Sequence, residues 1–101
     1  MDKILLIIPA FNESENLPKL IASIKKESYD YDVLIINDYS TDNTGKVAKE
    51  LGVNVINLPC NLGIGGAVQT GYQYAVRQGY QYAVQVDGDG QHNPEFIKTM
   101  L

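Results

Sequence analysis

Asp87 and Asp89 flank a single glycine at the end of the apolar run Tyr82–Val86. In extended backbone that spacing puts both side chains on one face, with Cα atoms about 6–7 Å apart. Gly88 adds no bulk and permits a sharp bend. Two carboxylates held so close repel each other unless a cation sits between them. Mg2+ or Mn2+ suits the arrangement, being a hard ion that takes one or two protein carboxylates and fills its other positions with water and phosphate oxygens. An acidic chain could hold an anionic diphosphate through such an ion, which would also act as a Lewis acid for a leaving diphosphate. The competing reading is a solvated turn, because Asp-Gly pairs are common in turns. His92, close behind, reads equally as a ligand, a base or a solvated residue at a helix entry.

The elements that must position this turn alternate along the chain. Ile4–Ile8 is a continuous aliphatic run, as expected for a strand covered on both faces, and Pro9 is expected to end it. From Ser14 to Lys26, Leu17, Leu20, Ile21 and Ile24 share one helical stripe, with Asn12 or Ser14 as the cap. Asp32–Asn37 predicts a second buried strand. Asp42–Leu51 predicts a short helix capped by Thr41 or Asp42, with Gly52 just past its end. Val53–Leu58 predicts a third strand, and Ile64–Gln78 a helix entered through a glycine-rich loop and stopped at Gly79. Tyr82–Val86 predicts a fourth strand, and Pro94–Leu101 the start of a fourth helix, with proline in its first turn.

The hexapeptide Gly-Tyr-Gln-Tyr-Ala-Val occurs twice, at 71–76 and 79–84. Local propensity cannot separate identical hexamers, so context decides. The first copy continues a helix; the second follows the Gly79 break and leads into a strand. Strand–helix alternation of this kind predicts an α/β fold: a Rossmann-like parallel sheet of about four strands, with helices on both faces and right-handed crossovers. Ligands bind such sheets at the carboxyl ends of the strands. Three strands end in polar clusters, at 9–13, 37–40 and 87–89, and the fold would gather them at one edge.

Composition narrows the partners. With 101 residues the chain fits one domain, and a formal net charge of −4 argues against nucleic acid, which wants a basic face. The apolar run at 4–8 is too short to span a membrane and makes a poor signal peptide. Cys60 is the only cysteine, so no internal disulfide forms; it reads as a small packing residue, with a reactive thiol as the alternative. Gly63, Gly65 and Gly66 follow the third strand rather than the first and lack dinucleotide-fingerprint spacing, which favours loop packing over ligand contact. Tyr72, Tyr74, Tyr80 and Tyr82 read as packing residues rather than a ligand-stacking platform.

Four segments together are more telling: Ile7-Ile-Pro-Ala-Phe-Asn-Glu13, Asn37-Asp-Tyr-Ser-Thr-Asp-Asn-Thr44, Asn61-Leu-Gly-Ile-Gly-Gly-Ala67 and Asp87-Gly-Asp-Gly-Gln-His-Asn-Pro94. In this order and spacing the chain resembles the N-terminal, nucleotide-binding half of the family 2 glycosyltransferases with the GT-A fold, particularly the polyprenyl- and dolichyl-phosphate sugar synthases and their bacterial relatives. The resemblance covers essentially all of residues 1–101. It implies inverting, metal-dependent transfer of a sugar from a UDP or GDP sugar to a polyprenyl phosphate or glycan. Pro9, Phe11 and Glu13 match the loop that holds base and ribose. Asp38 matches the acid that recognises a ring N–H of uracil or guanine, and Asp87 a residue near the donor ribose and sugar. Asp89 matches a ligand of Mg2+ or Mn2+, with Asp87 beside it, and Gln91 matches a further ligand. The family's usual second motif is Asp-Asp-Gly-Ser; here Asn37 stands for the first acid and Tyr39 for the glycine. Gly88 and Gly90 stand where relatives often carry alanine and leucine, which implies a looser turn ordered by metal and donor.

The resemblance further implies a second half carrying the acceptor contacts and the general base, so no catalytic base is named among these residues. The 101-residue chain by itself is expected to bind donor weakly and turn over little, and to self-associate through an exposed sheet edge or apolar face. A cytoplasmic location is expected, at the cytoplasmic face of a membrane if the acceptor is a lipid. Two other classes stay open: another metal-dependent nucleotide-binding enzyme such as a nucleotidyltransferase, and a non-catalytic partner-binding fragment. A nucleotidyltransferase would carry a glycine- and base-rich loop after the first strand, which Pro9–Glu13 does not.

Overall fold

The computed structural model describes residues 3–26 and 31–86, together with the backbone of a strand at 95–98. Eight elements follow in order: β1 (Ile4–Ala10), α1 (Leu17–Lys25), β2 (Tyr31–Asn37), α2 (Thr44–Glu50), β3 (Asn54–Asn57), α3 (Gly63–Arg77), β4 (Tyr82–Gln85) and β5 (Glu95–Lys98). They form one sheet in the order β3-β2-β1-β4-β5. The first four strands are parallel, as expected from the alternation, and β5 runs antiparallel to β4.

Each strand's alternation divides its side chains between two layers. Leu6, Ile8, Ala10 and Ile35 pack on one face with Leu17, Leu20, Ile21 and Ile24 of α1 and Ala48 of α2. Leu5, Ile7, Leu34 and Ile36 pack on the other with Ala67 and Ala75 of α3 and with Tyr80. Continuous aliphatic runs are what a sheet covered on both faces requires. The chain builds outward from β1 through β2 to β3, then returns along α3 on the opposite face to lay β4 on the other side of β1. The carboxyl ends of β1 and β4 therefore flank the point where strand order reverses, the usual place for a ligand crevice in an open α/β sheet.

α3 approaches β1 closely because its inner face is small. Gly71 is buried, and a Cβ there would lie 2.4 Å from Cγ2 of Ile7. α3 ends in a Schellman arrangement: the Gly79 amide donates to Val76 O at 3.2 Å and the Tyr80 amide to Ala75 O at 3.0 Å. Gly79 takes a φ of 77°, in the left-handed region. This stop is what separates the two identical hexapeptides, placing the first in α3 and leading the second into β4.

Three expectations change. Pro9 does not end β1, which runs on to Ala10. The carbonyl of Ile7 accepts from Val86 on the β4 side and that of Ala10 accepts from Asp38 on the β2 side, so Pro9 presents its nitrogen to the β4 side. Gln85, the last residue of β4, pairs with Ile7, so a proline two residues further on costs no ladder bond. Pro94–Leu101 does not supply a fourth helix, because Glu95–Lys98 is a strand paired with Tyr82–Gln85. The helix caps also differ: Asn16 precedes α1 and Asn43 precedes α2, neither capping through its side chain, although Asp42 Oδ1 accepts the first amide of α2, that of Thr44, at 2.9 Å. Gly52, at φ 74°, does follow α2 as expected.

Candidate functional site

The loops after β1 and β2 are bound together by side chains that include the expected caps Asn12, Ser14, Thr41 and Asp42. Asn12 Oδ1 accepts from the amides of Thr41 at 2.8 Å and Asp42 at 3.3 Å and from the Thr41 hydroxyl at 3.2 Å. The Asn12 amide donates to Ser40 Oγ at 3.0 Å. In return Asp42 Oδ2 accepts from the Ser14 hydroxyl at 2.8 Å and the Ser14 amide at 3.4 Å. Thr44 closes the network from within. It is fully buried, accepts the Glu13 amide on Oγ1 at 2.9 Å and donates its hydroxyl to Asp42 Oδ1. Asn12 takes a φ of 55°, a conformation that asparagine tolerates better than most residues.

Burial would raise the Asp42 carboxyl slightly, but hydrogen bonds from Thr44 and then Ser14 outweigh it and hold the group below its ordinary value. A carboxyl depressed on folding contributes stability above its unfolded pKa, about 3.9, and loses it as pH falls through the lower folded value. Asp42→Asn should therefore lower the thermal midpoint at pH 5–7. The gap to the parent protein should narrow as pH falls below about 4 and close once the folded carboxyl is protonated. Melting both proteins across that range checks this; a gap independent of pH would show that charge is not what Asp42 supplies.

Asp38 is the centre of the described part of the site. It follows β2 directly and is only 4% exposed. Its amide donates to Ala10 O at 2.9 Å, fixing it beside the end of β1. Its Oδ1 accepts the amide of Leu62, at the entry to α3, at 2.7 Å. Its carbonyl accepts from Asn61 Nδ2 at 3.3 Å. Among the described residues no hydrogen bond reaches Oδ2. A buried carboxylate so oriented has one oxygen left for a ligand N–H.

Pro9, Phe11 and Glu13 lie at the same edge. Pro9 is half-buried in β1, and Phe11 is exposed immediately after it. Glu13 is half-buried, and its Oε2 accepts from Asn16 Nδ2 at 2.7 Å. Asn37 accepts the Ser40 amide on Oδ1 at 3.2 Å and donates to Asn57 Oδ1 at 3.0 Å, joining the ends of β2 and β3. Gly45 leaves room for that pair, since a Cβ there would meet Asn37 Nδ2 at 2.7 Å. Tyr39, in the glycine position of the resembled motif, takes a φ of 59°. Left-handed backbone costs a residue with a side chain about 1–2 kcal/mol.

Val86 donates its amide to Ile7 O at 2.9 Å, so β4 leads out at this same edge. Asp87, Asp89, Gln91 and His92 lie outside the described residues. Among the described residues no group of three histidine, cysteine or acidic side chains could hold a metal ion. The glycine-rich segment is used by the backbone: Gly63 sits at φ 77°, and a Cβ on Gly66 would lie 2.6 Å from Leu62 Cβ. Cys60 is exposed. The tyrosines pack: Tyr74 and Tyr80 stack with ring centroids 6.5 Å apart, and Tyr80 donates its hydroxyl to Asp32 at 2.6 Å. A cavity of about 380 Å3 lined by Ile24, Tyr31, Asp32, Val33 and Val53 lies at the amino edge of the sheet, at the opposite end of β2 from Asp38.

Comparison with known proteins decides the family. The family model for glycosyl transferase family 2 matches residues 5–101. The chain belongs to that family. An undecaprenyl-phosphate mannosyltransferase of Micrococcus luteus is 34% identical over 104 residues, covering 98% of this chain and 43% of its own length. The chain thus spans about two fifths of that family 2 relative. Among solved structures, a mannosyltransferase from Pyrobaculum calidifontis in complex with GDP-Man and Mn2+ superposes with a TM-score of 0.75 at 18% identity, over 86% of this chain and 27% of that one. Staphylococcus aureus TarS in complex with UDP-GlcNAc superposes with a TM-score of 0.76 at 24% identity, over 86% of this chain and 26% of that one. These likenesses establish the fold, the α/β sheet of the GT-A glycosyltransferases. Of the motif residues, Asn12 and Asp42 are expected only as local caps, and Thr44 has no expected role. Their partners lie 28 to 31 residues away in sequence, and only the parallel pairing of β1 with β2 brings them together.

Proposed function

We propose that this chain holds the nucleotide-sugar donor of a glycosyltransferase that passes its sugar, with inversion, to a polyprenyl phosphate. The observation that carries the reading is Asp38: a buried carboxylate at the carboxyl edge of the sheet, one oxygen committed to Leu62 and the other unengaged among the described residues. Such a group discriminates a base by its ring N–H, as uracil and guanine offer. Pro9, Phe11 and Glu13 surround base and ribose, and Asp87 stands near the donor ribose and sugar. The M. luteus relative's name supports a lipid-phosphate acceptor, and the complexes with GDP-Man and UDP-GlcNAc support a guanine or uracil donor.

Asp89, Gln91 and Asp87 would hold Mg2+ or Mn2+. Carboxylates and an amide oxygen form the hard donor set that these ions prefer, and the Mn2+ in the P. calidifontis complex supports a divalent ion. When bound, the ion supplies positive charge for the departing diphosphate. In the transfer itself an acceptor oxygen bonds to the anomeric carbon from the face opposite the diphosphate. The bond from that carbon to the diphosphate oxygen breaks, and its electron pair leaves with the nucleoside diphosphate. Asp38 and the β1 loop hold the base so that the anomeric carbon faces the acceptor. No residue of this chain is assigned as a general base.

Calorimetric titration of UDP and GDP sugars, with and without Mn2+, tests the reading. Metal-dependent binding of one nucleotide sugar is expected. Absence of any such binding would overturn it, and preference for a nucleoside triphosphate would favour nucleotidyl transfer instead.

A further inference from the structure

We propose that Tyr39 is a nucleobase-binding residue, its exposed ring forming a wall of the pocket in which Asp38 holds the base. This rests on the donor-binding reading above and adds to it a side chain that the resembled motif, with glycine in that place, does not have.

Three observations converge. Tyr39 is 57% exposed, and among the described residues its ring and hydroxyl have no hydrogen-bond or aromatic partner. It therefore contributes little to packing. Its backbone lies in the left-handed region, where glycine would be easier, yet the loop allows little relaxation. The amide before it is held by Ala10 O, the amide after it by Asn37 Oδ1, and the Ser40 hydroxyl by the Asn12 amide. Backbone strain that is over-determined in this way is typical of functional positions. Finally, the ring does not stand alone. Phe11 follows the residue whose carbonyl fixes the Asp38 amide, and Leu62 is the residue whose amide binds the Asp38 carboxylate; both are exposed large apolar side chains.

A buried carboxylate whose chain neighbour and two hydrogen-bonded loops carry large exposed side chains suits a flat ligand with a hydrogen-bonding edge and a π face. A nucleobase carrying a ring N–H is such a ligand: its edge meets Asp38 and its face meets an aromatic ring. Stacking on an aromatic side chain strengthens nucleic-acid base binding by roughly tenfold or more.

The test compares the protein with Tyr39→Gly and Tyr39→Phe, measuring UDP and GDP affinity in Mn2+ by calorimetry and thermal midpoint by calorimetric melting. Tyr39→Gly should weaken the preferred nucleotide about tenfold while raising the midpoint by a few degrees, because left-handed strain is relieved. Tyr39→Phe should bind within about twofold of the parent, since the ring persists. Unchanged affinity in Tyr39→Gly would overturn the role of Tyr39 and leave the donor-binding reading intact. Weaker binding with a lowered midpoint would assign Tyr39 to structure alone, and Tyr39→Phe as weak as Tyr39→Gly would reject stacking. If the parent protein binds neither nucleotide, the donor-binding reading fails and this inference with it.

Discussion

Gly71→Val is expected to destabilise the protein by about 3 kcal/mol, a large part of the roughly 5–15 kcal/mol that holds a domain of this size folded. The first added carbon would fall 2.4 Å from Ile7 Cγ2 and 3.0 Å from Ile7 Cδ1. Ile7 is fully buried in a central strand with β2 and β4 on either side, so it cannot swing away. The two remaining methyl carbons of valine would add overpacking, and a β-branched residue loses side-chain freedom in a helix. Gly71→Ala should cost less, about 1 kcal/mol, because alanine's better helix propensity offsets part of the clash. Urea or thermal unfolding of both variants checks the order. A shift of roughly 12 °C or more is expected for the valine variant. A valine variant as stable as the parent would mean that α3 can lift from the sheet without penalty.

The second large effect concerns the proposed metal site. Asp89→Asn is expected to reduce Mn2+-dependent nucleotide-sugar affinity by at least about 100-fold. Loss of residues that merely support metal ligands already costs 10- to 100-fold. The amide is isosteric but neutral, so the ion loses charge compensation while the turn keeps its size. Affinity without metal should not change. That contrast, read by titration with and without Mn2+, separates loss of a ligand from general damage to the fold. Equal losses in both conditions would reject the assignment of Asp89.

The sheet and its helices were largely legible because each depends on a local pattern. Short aliphatic runs rich in β-branched residues at Ile4–Ile8 and Val33–Ile36 suit strands covered on both sides. The stripe of Leu17, Leu20, Ile21 and Ile24 needs a single helical face. The two identical hexapeptides were separable because Gly79 supplies a stop that the residues themselves do not. Where pairing partner outweighs propensity, the reading failed. Pro94 at a first turn favours helix, but Glu95–Lys98 lies against the free edge of β4, and the hydrogen bonds available there make it a strand. The site was legible in its residue types and less so in its scaffolding. Asp38 stands out through the resembled motif, within a polar cluster at a strand end, whereas the cross-loop roles of Asn12, Asp42 and Thr44 require the distance between two adjacent strands. Tyr39 reads as a departure in sequence; its meaning emerges from a backbone angle.

The antiparallel β5 also bears on the acidic turn. Glu95 is the register partner of Gln85. The described residues on either side of 87–94 are therefore neighbours in the sheet. Pairing of those flanking strands meets the entropy of bringing the two ends together when the protein folds. An ion at the proposed site would then spend less of its binding free energy on gathering its ligands.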